Sequence, residues 1–366
     1  MKQPIRVLHV VTYMGRGGLE TMLMNYYRHI DRTKVQFDFL VHRDFEADYD
    51  QEINELGGRI YHVSKLIPWS RKYKQELKCF FRDHPEYSIV HVHQDCLSSV
   101  ALKCAEECGI PVRIAHSHNI NQDKNIKYLI KLHYMKNIPK YATDCFACSV
   151  EAGEWMFKGS PFHILHNAID ASSYTYSTET SKRVRSEFHI ENSFVIGHIG
   201  RFDPQKNHSF LLNVFSECIK YQPNSKLLLI GDGKNRASIE NKVKSLGLGE
   251  NVIFAGVRND VAELLQAMNV FVFPSLYEGL GLAAVEAQAA GIPCILSDKV
   301  PIECKMTKNV EFLSLDDSPN TWAKHILAYI NSPRNYTYDD LYKAGYDIKE
   351  NAFRLQDFYC KGVYDE

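Results

Sequence analysis

Phe273-Pro274-Ser275-Leu276-Tyr277-Glu278-Gly279-Leu280-Gly281-Leu282-Ala283-Ala284-Val285-Glu286-Ala287-Gln288-Ala289-Ala290-Gly291 is the stretch on which the reading of this chain turns. The strand-forming run Val270–Phe273 ends at Pro274 and Ser275, so a buried strand stops there. A turn punctuated by Gly279 and Gly281 follows, and an Ala-rich helix from about Leu282 is closed by Gly291 and Pro293. Glu278 lies in the turn and Glu286 on the helix. The bland alternative is a capping Glu278 and a solvated Glu286.

The chemistry of such a unit is specific. Turn glycines leave backbone N–H groups unshielded at a helix N-terminus, where an anion is favoured. Carboxylates beside that turn repel phosphate and therefore serve hydroxyls. A ligand with a diphosphate between hydroxyl-bearing groups, as in a nucleotide-sugar, satisfies both demands.

Upstream, apolar runs alternate with helical ones. Ile5–Val11, Val35–Val41, Arg59–Val63, Ile89–Val92, Val112–Ala115 and Cys145–Ser149 read as strands. Leu19–His29, Asp48–Leu56, Arg71–Asp83, Leu97–Cys108 and Asn125–Ile138 read as helices. This alternation predicts a parallel sheet covered on both faces, with ligands beyond the carboxyl ends of its strands. The first strand runs into Gly15-Arg16-Gly17-Gly18-Leu19-Glu20, a strand–glycine turn–helix arrangement suited to phosphate. Its spacing departs from G-x-G-x-x-G, which argues against a dinucleotide.

Polar residues 171–193 mark a domain junction after His166-Asn167-Ala168-Ile169-Asp170, with a helix expected over Thr180–Phe188. A second alternation starts at Phe194–Ile199. That strand ends in Gly200-Arg201-Phe202-Asp203-Pro204-Gln205-Lys206-Asn207, which offers a forked guanidinium and a mobile ammonium for phosphate oxygens. The helix Ser209–Lys220 follows. Leu227–Ile230 closes on Gly231-Asp232-Gly233, and Val252–Phe254 leads through Val257 and Arg258 into a helix at Val261–Met268. After Gly291 come strands at Cys294–Ser297 and Glu311–Ser314, a helix at Trp322–Ile330 and an amphipathic helix from Ile348 to Tyr364.

Histidines mark two strand ends in the first half, His91-Val92-His93 and His116-Ser117-His118. Residues two apart on a strand share a face, so a four-histidine metal cluster is weighed and set aside for want of carboxylate partners at ligand spacing. Two segments, Lys65–Arg82 and Arg113–Lys140, each hold six basic residues and one acidic, with aromatic or apolar residues between them. They read as solvated helix faces or as a surface for anionic lipid headgroups.

At 366 residues, the chain exceeds the ~250–300 at which single cores stop growing, so two domains are expected. A formal charge of -1 gives no general attraction to nucleic acid. No apolar run is long enough to span a bilayer, and the N-terminus lacks a signal-like apolar stretch, so the expected location is the cytoplasm. The ten scattered cysteines read as reduced, and one lone C-x-x-C at Cys145–Cys148 is poor evidence for zinc.

Three blocks now stand in order: Gly-Gly-x-Glu from Gly17, Gly-Arg-x4-Lys-Asn from Gly200, and Pro-Ser-x-x-Glu-Gly-x-Gly-Leu-x3-Glu-Ala from Pro274. In them the chain resembles the retaining GT-B glycosyltransferases of the family-4 group, which build bacterial capsule, exopolysaccharide and lipopolysaccharide. The resemblance implies an α/β fold of two Rossmann-like domains with parallel sheets facing a central cleft. An acceptor-binding domain over residues 1–170, joined by a crossing helix at about 346–366, would partner a donor-binding domain over 171–345.

The resemblance further implies that Arg201 and Lys206, at the Gly200 turn, grip the donor diphosphate, and that Glu286 accepts from ribose hydroxyls. Glu278, with the N–H groups of Gly279, Leu280, Gly281 and Leu282, would hold the donor hexose. Gly17, Gly18 and Gly233 would border the diphosphate, and Val257 and Arg258 the nucleobase. Asn167 and Asp170 match the hinge, and His116, with His118 as alternate, matches a single family histidine. The implied reaction moves a hexose from a nucleotide-sugar, with UDP-sugar as the expected donor, to a glycan or polyprenyl-diphosphate-linked acceptor. No Asp-x-Asp motif sits at a strand end, so no metal and no cofactor are expected. A nucleotide-sugar epimerase on the same fold and a non-catalytic sugar-nucleotide-binding subunit remain the alternatives. Peripheral contact with the inner face of the plasma membrane is a further expectation, carried by the basic segments.

Overall fold

Runs of Val, Ile, Leu and Phe, long enough only for short strands, pair in the computed structural model into two all-parallel sheets. The structure describes residues 3–119 and 126–364. Contacts divide the chain into two units, Met1–Ile169 with Gly345–Glu366, and Asp170–Ala344.

In the first unit the strands are β1 (Ile5–Val10), β2 (Val35–Val41), β3 (Ile60–His62), β4 (Ile89–Val92), β5 (Val112–Ser117), β6 (Asp144–Ala147) and β7 (His163–Ile164), in the order β3-β2-β1-β4-β5-β6-β7. The order reverses between β1 and β4, the switch point at which doubly wound sheets bind ligands. Apolar side chains cover both faces, which is why these strands read as continuous hydrophobic runs. One buried charge interrupts them. Asp38 on β2 is fully buried, and it accepts from Arg6 Nε (2.6 Å), Tyr87 Oη (2.7 Å) and the Arg59 N–H (2.7 Å). These donors replace the water it loses.

The C-terminal helix Ile348–Tyr364 belongs to this unit. Ile348, Ala352, Leu355 and Tyr359 pack into the core beside β1 and β2. The Tyr359 hydroxyl lies 2.7 Å from His91 Nδ1 on β4. Backbone bonds from Ile169 to Tyr346 (3.1 Å) and from Ile348 to Ile169 (3.2 Å) lace the two crossings of the chain together.

The second unit has β8 (Phe194–Ile199), β9 (Ser225–Ile230), β10 (Val252–Gly256), β11 (Val270–Phe273), β12 (Cys294–Ser297) and β13 (Val310–Leu313), in the order β10-β9-β8-β11-β12-β13. The same reversal recurs between β8 and β11. Trp322, fully buried, anchors the helix Pro319–Leu327 and donates from its indole to the Ser314 carbonyl (2.9 Å).

Several elements differ from the sequence expectation. β5 continues to Ser117, so His116 lies within the strand and not after it. β6 stops at Ala147, because Ser149 caps the helix Val150–Phe157 by accepting from the Ala152 N–H (3.2 Å). The helices Arg236–Ser245 and Tyr338–Lys343 had no sequence counterpart. Residues 120–125, part of the basic segment Arg113–Lys140 and the start of the expected helix at Asn125, lie outside the described residues. All ten cysteines are free. Among the described residues no helix is long and apolar enough to cross a membrane.

Candidate functional site

The second unit gathers its chemistry at the carboxyl ends of β8 and β11, on either side of the switch point. β8 leads through Gly200 and Arg201 into a short turn, Pro204–Lys206, ended by Asn207 in the left-handed conformation. β11 leads into the loop that carries Glu278. The two loops are tied by two hydrogen bonds: Leu276 N–H donates to the Gln205 carbonyl (2.8 Å), and the Gln205 side-chain Nε2 donates to the Tyr277 carbonyl (2.9 Å). That clamp delivers Lys206 Nζ to 2.6 Å from Glu278 Oε1. Lys206 is 17% exposed and Glu278 7%. The ammonium also lies 4.6 Å from the Phe273 ring centroid, an additional favourable contact for a desolvated cation.

Arg201 is oriented differently. Its guanidinium is largely exposed and its Nε donates to Asp203 Oδ2 (2.7 Å). Gly233 borders the same turn through packing: a Cβ there would lie 2.7 Å from the Phe202 carbonyl oxygen, at a φ of +158 that favours glycine.

The helix Leu282–Ala289 starts from Gly281, whose φ of +89 puts it in the left-handed region, and no side chain caps that end. Gly279 is half-buried, and Leu280 is buried. Glu286, one turn further on, is 9% exposed, and its Oε1 accepts from the Tyr174 hydroxyl at 3.1 Å. Burial pushes the Glu286 carboxyl up to about 7, against the opposing pull of the Tyr174 bond. Tyr174, in the junction turn Ala171–Tyr174, escaped the sequence reading. His198 and His208 were also missed. Both are buried near Lys206, their ring centroids 4.7 Å apart, and burial holds both imidazoles neutral.

Val257 is exposed, whereas Arg258 is engaged: it holds Asp260 (2.7 Å from Nε) and Glu187 (3.1 Å from Nη2). The structure thus brings Lys206, Glu278 and the Gln205 amide into direct contact and leaves Arg258 in a separate ion-pair network.

In the first unit, Gly17 precedes the helix Gly18–His29 without a side-chain cap, and Gly18 begins it. Asp48-Tyr49-Asp50, an Asp-x-Asp in the loop after β2, opens the helix Asp50–Glu55, where Asp50 Oδ2 accepts from the Ala47 N–H (2.9 Å). Asp170 caps the turn at the junction, and Asn167 is buried.

The histidines form a larger assembly than expected. Parallel register sets His9 of β1 beside His91 of β4. Two hydrogen-bonded rows result. His9 Nδ1 meets His93 Nε2 (3.0 Å), and His93 Nδ1 meets His118 Nε2 (2.9 Å). In the other row Tyr359 Oη meets His91 Nδ1, and His91 Nε2 meets His116 Nδ1 (3.1 Å). His116 is fully buried, while His118, just past β5, is only part-buried. Burial, seconded for His116 by its neighbours' charge, keeps both histidines well below their ordinary value.

Residues 16–173 match the family model described as Glycosyltransferase Family 4, and residues 180–348 match Glycosyl transferases group 1. EpsF of Bacillus subtilis (strain 168), a protein named as a glycosyltransferase, is 34% identical over 97% of this chain and 96% of its own length. The chain belongs to the family-4 glycosyltransferases. The capsular polysaccharide biosynthesis glycosyltransferase CapH of Staphylococcus aureus is 25% identical to this family-4 glycosyltransferase, covering 97% of the chain and 98% of CapH. Among solved structures, Anabaena Alr3699/HepE in complex with UDP and glucose superposes with a TM-score of 0.80 at 16% identity, over 97% of this chain and 99% of that one. At that identity the likeness is one of fold, the GT-B architecture of two parallel-sheet units.

Proposed function

We propose that this family-4 glycosyltransferase is a retaining enzyme that moves a hexose from UDP-sugar to a glycan or polyprenyl-diphosphate-linked acceptor in surface polysaccharide synthesis. The observation that carries the reading is the Lys206–Glu278 pair, held at 2.6 Å beside the uncapped, glycine-led helix Leu282–Ala289. A part-buried ammonium and a helix N-terminus on one loop pair suit a dianionic diphosphate. Arg201, exposed on the same turn, adds a second cation. Glu278 accepts from hexose hydroxyls and Glu286 from ribose hydroxyls.

In the reaction the anomeric C–O bond to the diphosphate breaks, and UDP leaves with the electron pair. Lys206, Arg201 and the amide dipoles stabilise that charge. The acceptor hydroxyl forms its new C–O bond on the face UDP vacates, and its proton passes to a departing phosphate oxygen. No carboxylate-held divalent cation is required in this scheme. Gly17, Gly18 and the His116/His118 pair keep the roles that the resemblance implies.

The test is a thermal-shift panel of UDP-, GDP- and ADP-sugars, followed by UDP release with and without acceptor. UDP-sugar at about 100 times its Kd is expected to stabilise the protein by about 2.7 kcal/mol. A panel in which no nucleotide-sugar shifts the transition removes the reading, and sugar conversion without UDP release points to epimerisation.

A lipid-facing acceptor side in the first unit is part of the same reading. A cavity of about 460 Å³ is lined by Lys74, Lys78, Lys103 and His133, with Glu107 as its acidic member. It contains none of the residues assigned to the donor. Trp69 and Leu129, on the segments that also carry lysines, are 65% and 73% exposed. Anionic vesicles are expected to sediment the protein in low salt, and Lys74→Glu with Lys78→Glu to reduce this at least tenfold, at about 1 kcal/mol per charge. Equal sedimentation by neutral vesicles contradicts a lipid-facing role.

A further inference from the structure

Apart from His116 and His118, the five-histidine assembly has no part in the transfer scheme above, and its geometry goes beyond packing. One nitrogen each from His93, His116 and His118 lies within 4.8 Å of the others. His93 Nδ1 and His118 Nε2 are already 2.9 Å apart. Ligands of a tetrahedral ion with bonds of about 2.0–2.1 Å are spaced by roughly 3.3 Å, so modest side-chain movement reaches that arrangement. His116 Nε2 is buried and has no hydrogen-bond partner among the described residues.

We infer that His93, His116 and His118 form a binding site for a late first-row divalent ion of the zinc class, with His116 ligating through Nε2, His93 through Nδ1 and His118 through Nε2. The outer partners suit this assignment. A ligating histidine is normally oriented by a bond at its other ring nitrogen. His93 Nε2 meets His9, and His116 Nδ1 meets His91, which in turn meets the Tyr359 hydroxyl. The alternative triad, His9, His91 and His93, also lies within 4.8 Å. It is disfavoured because both His91 nitrogens are engaged by groups outside that triad, Tyr359 and His116, whereas His93 Nδ1 meets a co-ligand, His118. All-nitrogen ligation selects zinc, cobalt, nickel or copper over magnesium or calcium. Part-exposed His118 leaves a fourth position for water. The metal-free chain is the form in which His116 and His118 stay available for the roles given by the resemblance.

The experiment is a Co²⁺ titration of the tag-free, chelator-treated full chain, read by visible absorption, and it needs no donor or acceptor. One equivalent should bind with the intense bands of a tetrahedral site, and Zn²⁺ should displace it. His118→Gln, at the part-exposed position, should weaken binding at least 100-fold with an unchanged circular dichroism spectrum. Tyr359→Phe should weaken it up to tenfold through the outer shell. Absence of stoichiometric binding by the wild-type chain, or unchanged binding in His118→Gln, overturns the inference. Because the readout is independent of transfer, its failure leaves the donor-site reading untouched.

Discussion

Lys206→Ala is expected to lower kcat/KM for sugar transfer by about 10³-fold, the effect of removing one preorganised charge that meets a developing anion. The size follows from position. An ammonium 17% exposed, 2.6 Å from Glu278 and 4.6 Å from the Phe273 ring, acts where water screens little. Removing it also strands Glu278, itself 7% exposed. A fold penalty of about 3 kcal/mol is therefore expected in the single variant. The double variant Lys206→Met with Glu278→Gln separates the effects, since it neutralises both partners at similar volume. It should regain most of the unfolding midpoint and remain inactive. Transfer within tenfold of wild type, in a folded Lys206→Ala protein, would falsify the diphosphate role.

The second large effect concerns Glu286. Its carboxyl titrates near 7 in the folded chain against an ordinary 4.5, because burial penalises the charged form. The folded state therefore binds this proton more tightly than the unfolded state does. Stability is highest below the unfolded value and declines as pH rises from 4.5 to 7, by about 3 kcal/mol, then levels off. Glu286→Gln lacks that decline, so it should be more stable than wild type at pH 8 and similar at pH 4.5. The same change removes a charged acceptor for ribose, and donor Kd should rise about 10- to 100-fold. Chemical denaturation at several pH values, with donor titration, checks both. Parallel stability profiles for the two proteins would sink the account of Glu286.

Strand positions were legible because a sheet covered on both faces demands unbroken apolar runs, as in Val270–Phe273. Lys206 and Glu278 could be read as one site only through their motifs, since 71 residues separate them. Their contact depends on the bond from Leu276 to Gln205, which no local pattern announces. Arg236–Ser245 was missed because only Ile239 and Val243 of its charged sequence are buried. His9 sits inside an apolar strand, and only the β1–β4 register sets it beside His91. Tyr174 joins Glu286 within the second unit, from a turn whose polar surroundings suggested linker alone.

Tyr359, on the helix Ile348–Tyr364 that follows the whole second unit in sequence, occupies the core beside β1 and reaches His91. On the ribosome, the first unit therefore cannot close when its strands emerge. Asp170–Ala344, contiguous and complete earlier, is the portion able to fold during elongation, and the leading segment must wait for the helix Ile348–Tyr364. Loss of the helix Ile348–Tyr364 thus damages the leading segment of the chain, not Asp170–Ala344.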